Sequence, residues 1–219
     1  MADRAIAGYA AAAEALTARY SDLDPNDLYA RVMPFFPPAP ARVLDIGAGP
    51  GRDAGWLAAK GHVVTAVEPV AGFRAAGQAR FGAGIAWVED RLPGPEKLQG
   101  SGAGYDLILA SGVWHHLEDG AQARAMRGVA ELLAAGGRLI LSLRHGPGAP
   151  TRPKHPCDPD LTTRRASARG LHLLHRHDAP SLQGANIAAG VRWDWLVFAH
   201  VGQAGTRAQI GVSATPAIG

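Results

Sequence analysis

The chain has the size of one α/β domain, and its composition argues against several classes of protein. It has 219 residues, of which 47% are hydrophobic, and a formal net charge of +3. No apolar run approaches the ~20 residues of a membrane helix, and the alanine-rich N-terminus lacks the apolar core of a signal peptide. The one cysteine, Cys157, excludes an internal disulfide and fits a reducing cytoplasm. Arginine supplies nearly all of the positive charge, and the basic pI by itself does not indicate nucleic-acid binding.

The first 40 residues predict two helices followed by a stiff connector. Residues 3–20 are rich in alanine, leucine and glutamate, which favour a helix. Asp24 and Pro25 form an N-cap and first-position proline for a second helix, which we expect to end before Pro34. The proline-rich stretch 34–40 cannot be a helix or a central strand. We therefore expect it to connect these helices to the domain.

From residue 42 onward, short apolar segments alternate with helical patterns. This alternation predicts a mostly parallel sheet with helices on both faces. The strands are predicted at 42–46, 62–67, 84–88, 105–110, 138–143, 171–176 and 191–199, and the helices at 51–60, 70–81, 118–133 and 161–169.

A glycine loop follows the first predicted strand, and its surroundings indicate which cofactor it binds. Gly47, Gly49 and Gly51 allow positive φ angles and close approach of a ligand to bare backbone. A dinucleotide fingerprint would carry a third glycine at the position of Arg52. Asp45 at the strand end repels a pyrophosphate and attracts an ammonium group, and Glu68 ends the next strand, where it can bind a ribose diol. S-adenosylmethionine has a ribose, an ammonium group and a sulfonium but no phosphate.

Five segments in register carry a resemblance to class I S-adenosylmethionine-dependent methyltransferases. They are 43-VLDIGAGPGRD-53, 63-VVTAVEP-69, 87-WVEDRLP-93, 105-YDLILASGVWHHL-117 and 132-LLAAGGRLILSLRHG-146. The resemblance implies a Rossmann-like, doubly wound fold with a seven-stranded sheet, whose last strand lies antiparallel between strands five and six. It also implies an N-terminal helical lid at 1–40 and a methyltransferase domain at 41–200. Residues 201–219 lack periodicity and are rich in glycine, alanine and threonine, so we expect a flexible tail there. Tyr9, Arg19 and Tyr20 are the candidate lid side chains.

The same resemblance assigns cofactor contacts to individual positions. Asp45 is expected at the ammonium group or at the loop amides, Glu68 at the ribose hydroxyls, and Asp90 at the adenine amine, with Glu89 as its competitor. The implied cofactor-binding residues are Asp45, Gly47, Ala48, Gly49, Gly51, Glu68, Pro69, Asp90, Arg91, Leu92, Ser111 and Trp114.

His115 is the candidate general base, with packing or hydrogen bonding as its alternative role. A sulfonium is already an activated methyl donor, and alignment of an acceptor can supply ~7–11 kcal/mol. A base adds ~10²–10⁴-fold. An amine, thiol or carboxylate acceptor needs little beyond alignment, whereas a hydroxyl or carbon acceptor needs the base.

The segment from residue 144 to 177 is basic and is expected to shape the acceptor pocket. Arg144 and His145 end the fifth strand, so they are the candidates for binding an anionic group of the acceptor. The long connection 178–190 offers Ser181, Gln183 and Asn186 as further contacts. The histidines and Cys157 of this segment lack the paired spacings of a zinc site, so no metal is predicted.

The sequence thus predicts a cytoplasmic methyltransferase, monomeric or homodimeric, that acts on a small molecule and leaves S-adenosylhomocysteine. An RNA methyltransferase that uses the basic 144–177 region is one alternative, and it predicts RNA affinity that falls steeply with salt. A non-catalytic module that binds the cofactor is another. A nicotinamide dehydrogenase is disfavoured by Asp45 and Arg52.

Overall fold

A computed structural model describes residues 3–98 and 104–201. These residues form one seven-stranded sheet with the order β3-β2-β1-β4-β5-β7-β6. Neighbouring strands β1 to β5 pair in parallel, whereas β7 pairs antiparallel with both β5 and β6. The predicted fold, including the antiparallel strand between β5 and β6, is confirmed. The predicted tail lies, from residue 202 onward, outside the described residues.

Five strands begin and end within one residue of their predicted positions, whereas the fifth begins five residues earlier and the sixth ends four residues later than predicted. The strands are β1 (Arg42–Ile46), β2 (Val63–Val67), β3 (Ile85–Val88), β4 (Tyr105–Ala110), β5 (Leu133–His145), β6 (Leu171–Pro180) and β7 (Arg192–His200). The helices are α1 (Asp3–Ala10), α2 (Ala13–Ser21), α3 (Pro25–Tyr29), α4 (Arg52–Ala59), α5 (Ala71–Phe81), α6 (Asp119–Leu132), α7 (Pro159–Ser167) and α8 (Gly184–Ala188). None of the helices within the described ranges combines the length and apolar character needed to cross a membrane.

The first predicted helix is two helices, α1 and α2, separated by a turn. The rings of Tyr9 and Tyr20 both lie 6.2 Å from the ring of Phe73 on α5. On a straight helix these two residues would be ~16 Å apart along the axis. The chain therefore turns at residues 11 and 12 so that both rings reach the same phenylalanine.

The next helix is shorter than predicted. It starts as expected, because the Asp24 carboxylate accepts a hydrogen bond from the Asn26 amide at 2.8 Å. It ends at Tyr29, and Pro34 lies in a short 3₁₀ turn, Met33–Phe35. A proline fits there because it occupies the first turn, where its missing N–H is not required.

Strand β5 begins earlier than predicted. Gly136 and Gly137, which were expected to end the preceding helix, lie within the strand. Leu133 already pairs with Tyr105, and the register then shifts before Leu107 pairs with Arg138. A Cβ on Gly137 would lie 2.6 Å from the Tyr105 carbonyl oxygen. The glycine is required by the close approach of the two strands at this irregularity.

Alternating residues of the central strands form separate cores on the two faces of the sheet. Leu44 and Ile108 belong to one buried cluster, and Val43 and Leu107 belong to the other. This is the two-residue periodicity of a strand covered on both sides. The arrangement leaves the carboxyl ends of the parallel strands free to line a site.

Candidate active site

A cavity of about 400 Å³ lies at the carboxyl ends of β1, β2 and β4. Open α/β sheets bind ligands at this edge. Helices α1 to α3 contribute lining residues on one side, and the segment from Ala179 to Trp195 contributes them on another. We refer to this space as the main cavity.

The glycine loop between β1 and α4 forms part of its wall. Gly47 and Gly49 have φ angles of 73° and 58°, in the left-handed region that favours glycine. The Gly47 and Ala48 amides donate to the Val67 carbonyl oxygen at 2.8 and 3.1 Å, which fixes the loop against β2. These three loop residues line the cavity. The sequence predicted contact with a ligand at these same three residues.

Gly51, in contrast, is required by packing. Its φ is 85°, and a Cβ there would lie 2.8 Å from the Trp87 ring. It does not belong to the residues that line the main cavity. The loop thus combines glycines that face the cavity with one that faces the protein interior.

Glu68 connects the glycine loop to the start of α5. Its Oε2 accepts a hydrogen bond from the Gly49 amide at 2.8 Å, and its Oε1 accepts one from the Val70 amide at 2.8 Å. Only 5% of the residue is exposed, and burial raises the pKa of its carboxyl. A carboxylate has about four acceptor positions. Two positions therefore stay available toward the cavity that Glu68 lines.

Asp45 lies behind the loop, outside the set of residues that line the cavity. It is 2% exposed, and its Oδ2 has no hydrogen-bond partner among the described residues. Burial raises the pKa of this carboxyl well above its usual range, and the nearby Asp53 carboxylate adds to the effect. Asp53 itself is paired with Arg52 at 2.7 Å, and both of these line the cavity.

The segment after β4 divides its side chains between the cavity and the core. Ser111 and His115 line the cavity, whereas Trp114 is 1% exposed and packs in the hydrophobic core. The Nδ1 of His115 is buried and has no partner in the part of the chain described. Burial lowers the pKa of His115 well below its usual value, and His116 and Arg144 lower it further. Its imidazole is therefore neutral at pH 7.

His116 links this segment to the first helix. Its Nδ1 lies 2.8 Å from the Pro153 carbonyl oxygen, so this nitrogen carries the proton and donates. Its Nε2 then accepts from the Tyr9 hydroxyl at 2.8 Å. Burial lowers the pKa of His116, in agreement with a neutral ring. The hydrogen bond holds α1 over the end of β4.

The residues predicted to contact adenine are not brought to the main cavity. The Asp90 carboxylate accepts hydrogen bonds from the Arg91 and Lys97 amides, both at 2.8 Å, and so organises the loop after β3. Glu89 is exposed and paired with Arg74 at 2.7 Å. Pro69, Arg91 and Leu92 also lie outside the cavity lining, with Leu92 buried in the core and Arg91 paired with Asp3.

The two residues predicted to bind an anionic acceptor lie in different surroundings. The Arg144 guanidinium lines the main cavity, 6.0 Å from the centre of the Trp193 ring. The His145 ring instead pairs with Asp194 at 2.8 Å, and Asp194 also accepts from Arg176. Arg144 is therefore the member of the pair that faces the cavity.

The connection between β6 and β7 brings its three predicted contacts to the cavity. Ser181, Gln183 and Asn186 all line it. The Gln183 side-chain oxygen accepts a hydrogen bond from Arg19 at 2.7 Å, which joins this connection to α2.

No group of three potential metal ligands gathers anywhere in residues 3–98 and 104–201.

Residues 17–201 match the model of a family described as a methyltransferase domain. The chain belongs to this family. The prediction of a class I S-adenosylmethionine-dependent methyltransferase is confirmed.

Solved structures of methyltransferases share the fold of this one. The 1,6-didemethyltoxoflavin-N1-methyltransferase of Burkholderia thailandensis, solved with 1,6-didemethyltoxoflavin and S-adenosylhomocysteine bound, has a TM-score of 0.70 at 20% identity, covering 89% of this chain and 86% of that chain. A TehB-like SAM-dependent methyltransferase from Corynebacterium glutamicum has a TM-score of 0.60 at 21% identity, covering 86% and 97%.

A relative in sequence is the ribosomal RNA small subunit methyltransferase C of Chromohalobacter salexigens. It is 36% identical over 111 residues, which are 48% of this chain and 32% of that protein. The matched segment thus covers about a third of that relative's length.

Sequence reasoning missed several residues that line the main cavity of the methyltransferase or a smaller cavity beside it. Arg152 and Lys154 lie in the irregular segment after β5, where no periodicity marks an inward side chain, and Asp53 lies in the first turn of α4. Trp195 also lines the main cavity, and its ring meets the Tyr29 ring edge to face with the ring centres 5.5 Å apart, although the two residues come from distant parts of the chain. A signal was present only for Asp53, because an acidic residue in a first helical turn next to a glycine loop is positioned by that loop.

Proposed function

We propose that this methyltransferase transfers the methyl group of S-adenosylmethionine to a small-molecule acceptor by direct displacement. Bound S-adenosylmethionine supplies an activated methyl group, and S-adenosylhomocysteine is left. The observation that carries the proposal is a single cavity of about 400 Å³ that joins the glycine loop and Glu68 to the connection between β6 and β7. Its size suits a small acceptor beside the cofactor.

The buried carboxylates fit a cofactor with hydroxyls and a cationic group. Glu68 keeps two acceptor positions toward the cavity after binding the Gly49 and Val70 amides. We assign these to the ribose hydroxyls. Asp45 has an unpartnered buried oxygen behind the loop, which suits an ammonium group reached through water, and orienting the loop amides is its alternative role. Gly47, Ala48 and Gly49 would then form the backbone wall, with Ser111 beside it.

The remaining predicted contacts stay part of the proposal. In the proposal Asp90 acts on adenine through the loop after β3 that it organises, and Pro69 lies next to Glu68 in the chain. In this assignment Gly51 and Trp114 support the site through packing. Arg91 and Leu92 belong to the same loop as Asp90.

Proximity and desolvation, and not strong base catalysis by His115, make the main contributions to the rate of methyl transfer in this proposal. Its neutral imidazole can accept a proton, but its lowered pKa makes it a weak base at pH 7. An acceptor that is already nucleophilic, such as an amine or thiol, therefore suits this site better than a hydroxyl or carbon acid. Alignment of two reactants in a dry cavity contributes ~7–11 kcal/mol.

The first 40 residues act in this proposal as a lid on the domain that follows. Tyr9 and Tyr20 line the cavity, and Tyr9 is tied to the end of β4 through His116. Burial raises the pKa of both phenols, so both stay neutral hydrogen-bonding groups. The lid would exclude water while the acceptor is bound.

A buried free thiol, Cys157, fits a cytoplasmic location for this activity.

The test measures binding and turnover separately. Calorimetry with S-adenosylhomocysteine should show binding of the full chain, and label should pass from methyl-labelled cofactor to a component of a metabolite extract. No binding at millimolar S-adenosylhomocysteine would overturn the proposal. Binding without transfer would favour a non-catalytic module.

An RNA methyltransferase is the second candidate, because the relative of 36% identity is named for ribosomal RNA. RNA binding would make the affinity fall linearly with salt on logarithmic axes, with a slope set by the number of phosphates contacted. Label transfer to RNA in place of small metabolites would decide for it.

A further inference from the structure

A second, smaller cavity opens beside the main one, and its charged side chains share one sign. It measures about 90 Å³ and is lined by Arg19, Arg144, Arg152 and Lys154. Among the residues that the structure describes, no aspartate or glutamate belongs to its lining. We call these four side chains and the space between them the cationic annex.

The four cations of the annex have no carboxylate partner. Among residues 3–98 and 104–201, the ion pairs within 4.0 Å involve other arginines and histidines. Arg19 donates to the Gln183 side chain and Arg144 to the Pro147 carbonyl oxygen, while Arg152 lies over the Tyr9 ring. These partners are neutral, so the positive charge is uncompensated.

The charges lie close enough to influence one another and the histidine beside them. Burial lowers the pKa of Arg144, and Arg152 contributes to the shift. Arg144 and Lys154 in turn help to lower the pKa of His115. Bringing like charges together costs free energy, which a bound anion would recover.

The annex is continuous with the reaction site through shared residues. Arg144 and His115 line both cavities, as do Tyr9, Gln183 and Asn186. A water molecule occupies ~30 Å³ in the liquid. The annex therefore holds about three waters, or one compact oxyanion such as a carboxylate or a phosphate group.

We infer that the methyl acceptor carries a compact oxyanion, which binds in the cationic annex while the rest of the acceptor lies in the main cavity. This inference rests on the proposed function, since it names a property of that acceptor. Guanidinium groups bind carboxylates and phosphates through paired charge-assisted hydrogen bonds. The annex would thus fix one end of the acceptor and direct the other end toward the methyl donor.

The experiment uses the full chain saturated with S-adenosylhomocysteine and two probes at constant ionic strength. Inorganic phosphate and acetate are titrated separately by calorimetry into the wild type and into Arg152→Gln and Lys154→Gln. Two variants are needed because Arg152 also contacts Tyr9, whereas Lys154 has no such ring contact. Arg169→Gln is the matched control, since Arg169 is exposed and lies outside both cavities.

We expect at least one probe to bind, with affinity lowered about ten-fold or more in Arg152→Gln and Lys154→Gln and changed less than two-fold in Arg169→Gln. Loss of one charge-assisted hydrogen bond has this size. Tighter binding of phosphate than of acetate would identify a phosphorylated acceptor, and the reverse order a carboxylate. Both orders support the inference.

Three results would overturn it. The first is that neither probe binds, and the second is that all variants bind equally. The third is that a short RNA binds far more tightly than phosphate and loses affinity in Arg169→Gln as well, which indicates a broad nucleic-acid face. Failure of S-adenosylhomocysteine to bind the wild type would instead overturn the proposed function, and the same probes titrated into the free chain would still judge the annex.

Discussion

The two sides of the cavity treat charge in opposite ways. On the side of the glycine loop, acidic groups are neutralised within the chain: Glu68 accepts two backbone amides, and Asp53 is paired with Arg52. On the side of the connection between β6 and β7, Arg144 and Arg152 have only neutral partners. The first side therefore keeps only acceptor positions for a ligand, two on Glu68 and one oxygen of Asp45, whereas the second side is complementary to an anion from outside.

The two sides also differ in how they are assembled. The loop and Glu68 come from one continuous stretch of chain that crosses from β1 to β2. The cationic annex draws on α2, the end of β5 and the segment after β5. On the first side, a change at one residue should therefore cause a large loss of ligand binding. On the second side, ligand binding should also depend on the contacts that hold the distant segments together.

The largest effect should come from Glu68→Ala, which tests the self-contained side. It removes an acceptor for two cofactor hydroxyls, each worth ~1.5–3 kcal/mol, so cofactor affinity should fall about 100-fold or more. It also leaves the Gly49 and Val70 amides without their buried acceptor, at about 1–3 kcal/mol each. Calorimetry with S-adenosylhomocysteine and urea unfolding measure the two losses.

Glu89→Gln is the control for this variant, because Glu89 is exposed and forms a surface pair with Arg74. Such pairs contribute about 0–1 kcal/mol. Cofactor affinity should change less than two-fold. An equal loss in both variants would mean that the end of β3 contributes as much to cofactor binding as the end of β2, against the assignment of the ribose hydroxyls to Glu68.

A smaller effect is expected from Gly8→Ala, which tests the side assembled from distant segments. A Cβ on Gly8 would lie 2.0 Å from the Thr151 carbonyl oxygen, so α1 must move away from the segment after β5. The Tyr9–His116 hydrogen bond and the Arg152–Tyr9 contact depend on that packing. We expect a loss of about 1–3 kcal/mol in the free energy of unfolding, with phosphate affinity reduced about ten-fold.

The matched control is Gly120→Ala in the first turn of α6. A Cβ there would meet only the flexible Arg124 guanidinium, at 3.6 Å. Stability should stay the same or rise by about 0.5–1 kcal/mol. If Gly8→Ala behaved like this control, α1 would not be held against the segment after β5.

The same contrast explains what could be predicted from the sequence. The strand–helix alternation, the glycine loop and the position of Glu68 followed from local requirements, because a strand end, a positive-φ glycine and an acidic residue at fixed spacing leave few geometries. The place of the last strand between strands five and six followed from the resemblance. The separation of α1 from α2 could not be predicted, since it depends on Tyr9 and Tyr20 both reaching Phe73.

The cationic side was predicted only in part for a similar reason. Arg144 ends a strand on the ligand edge, so its position could be inferred. Its neighbour His145 was an equal candidate, and only the pairing across β5 and β7 assigns it to Asp194. Arg152 and Lys154 lie in a segment without regular structure, where side-chain direction depends on contacts with α1 that no local pattern encodes.

The smallest effect concerns His115, which belongs to both sides of the cavity. Its folded-state pKa lies well below the unfolded value of about 6.5. As pH falls below ~6.5, the unfolded chain binds the proton first, so this residue's contribution to stability is lost. In His115→Asn that loss is absent. The free-energy cost of the substitution should therefore be about 1.4 kcal/mol smaller at pH 5.5 than at pH 7.5.

Urea unfolding at the two pH values measures this difference, and the exposed His172→Asn variant on β6 is the control for loss of a histidine. Taking the difference between variant and wild type removes the opposing contribution of Glu68, whose raised pKa favours the folded state as pH falls.

A bound oxyanion should reduce the His115 effect, because negative charge in the annex offsets Arg144 and Lys154 and makes protonation of His115 easier. If phosphate left the pH dependence of His115→Asn unchanged while binding the protein, the anion would lie away from the annex, and the contrast between the two sides would lose its functional meaning.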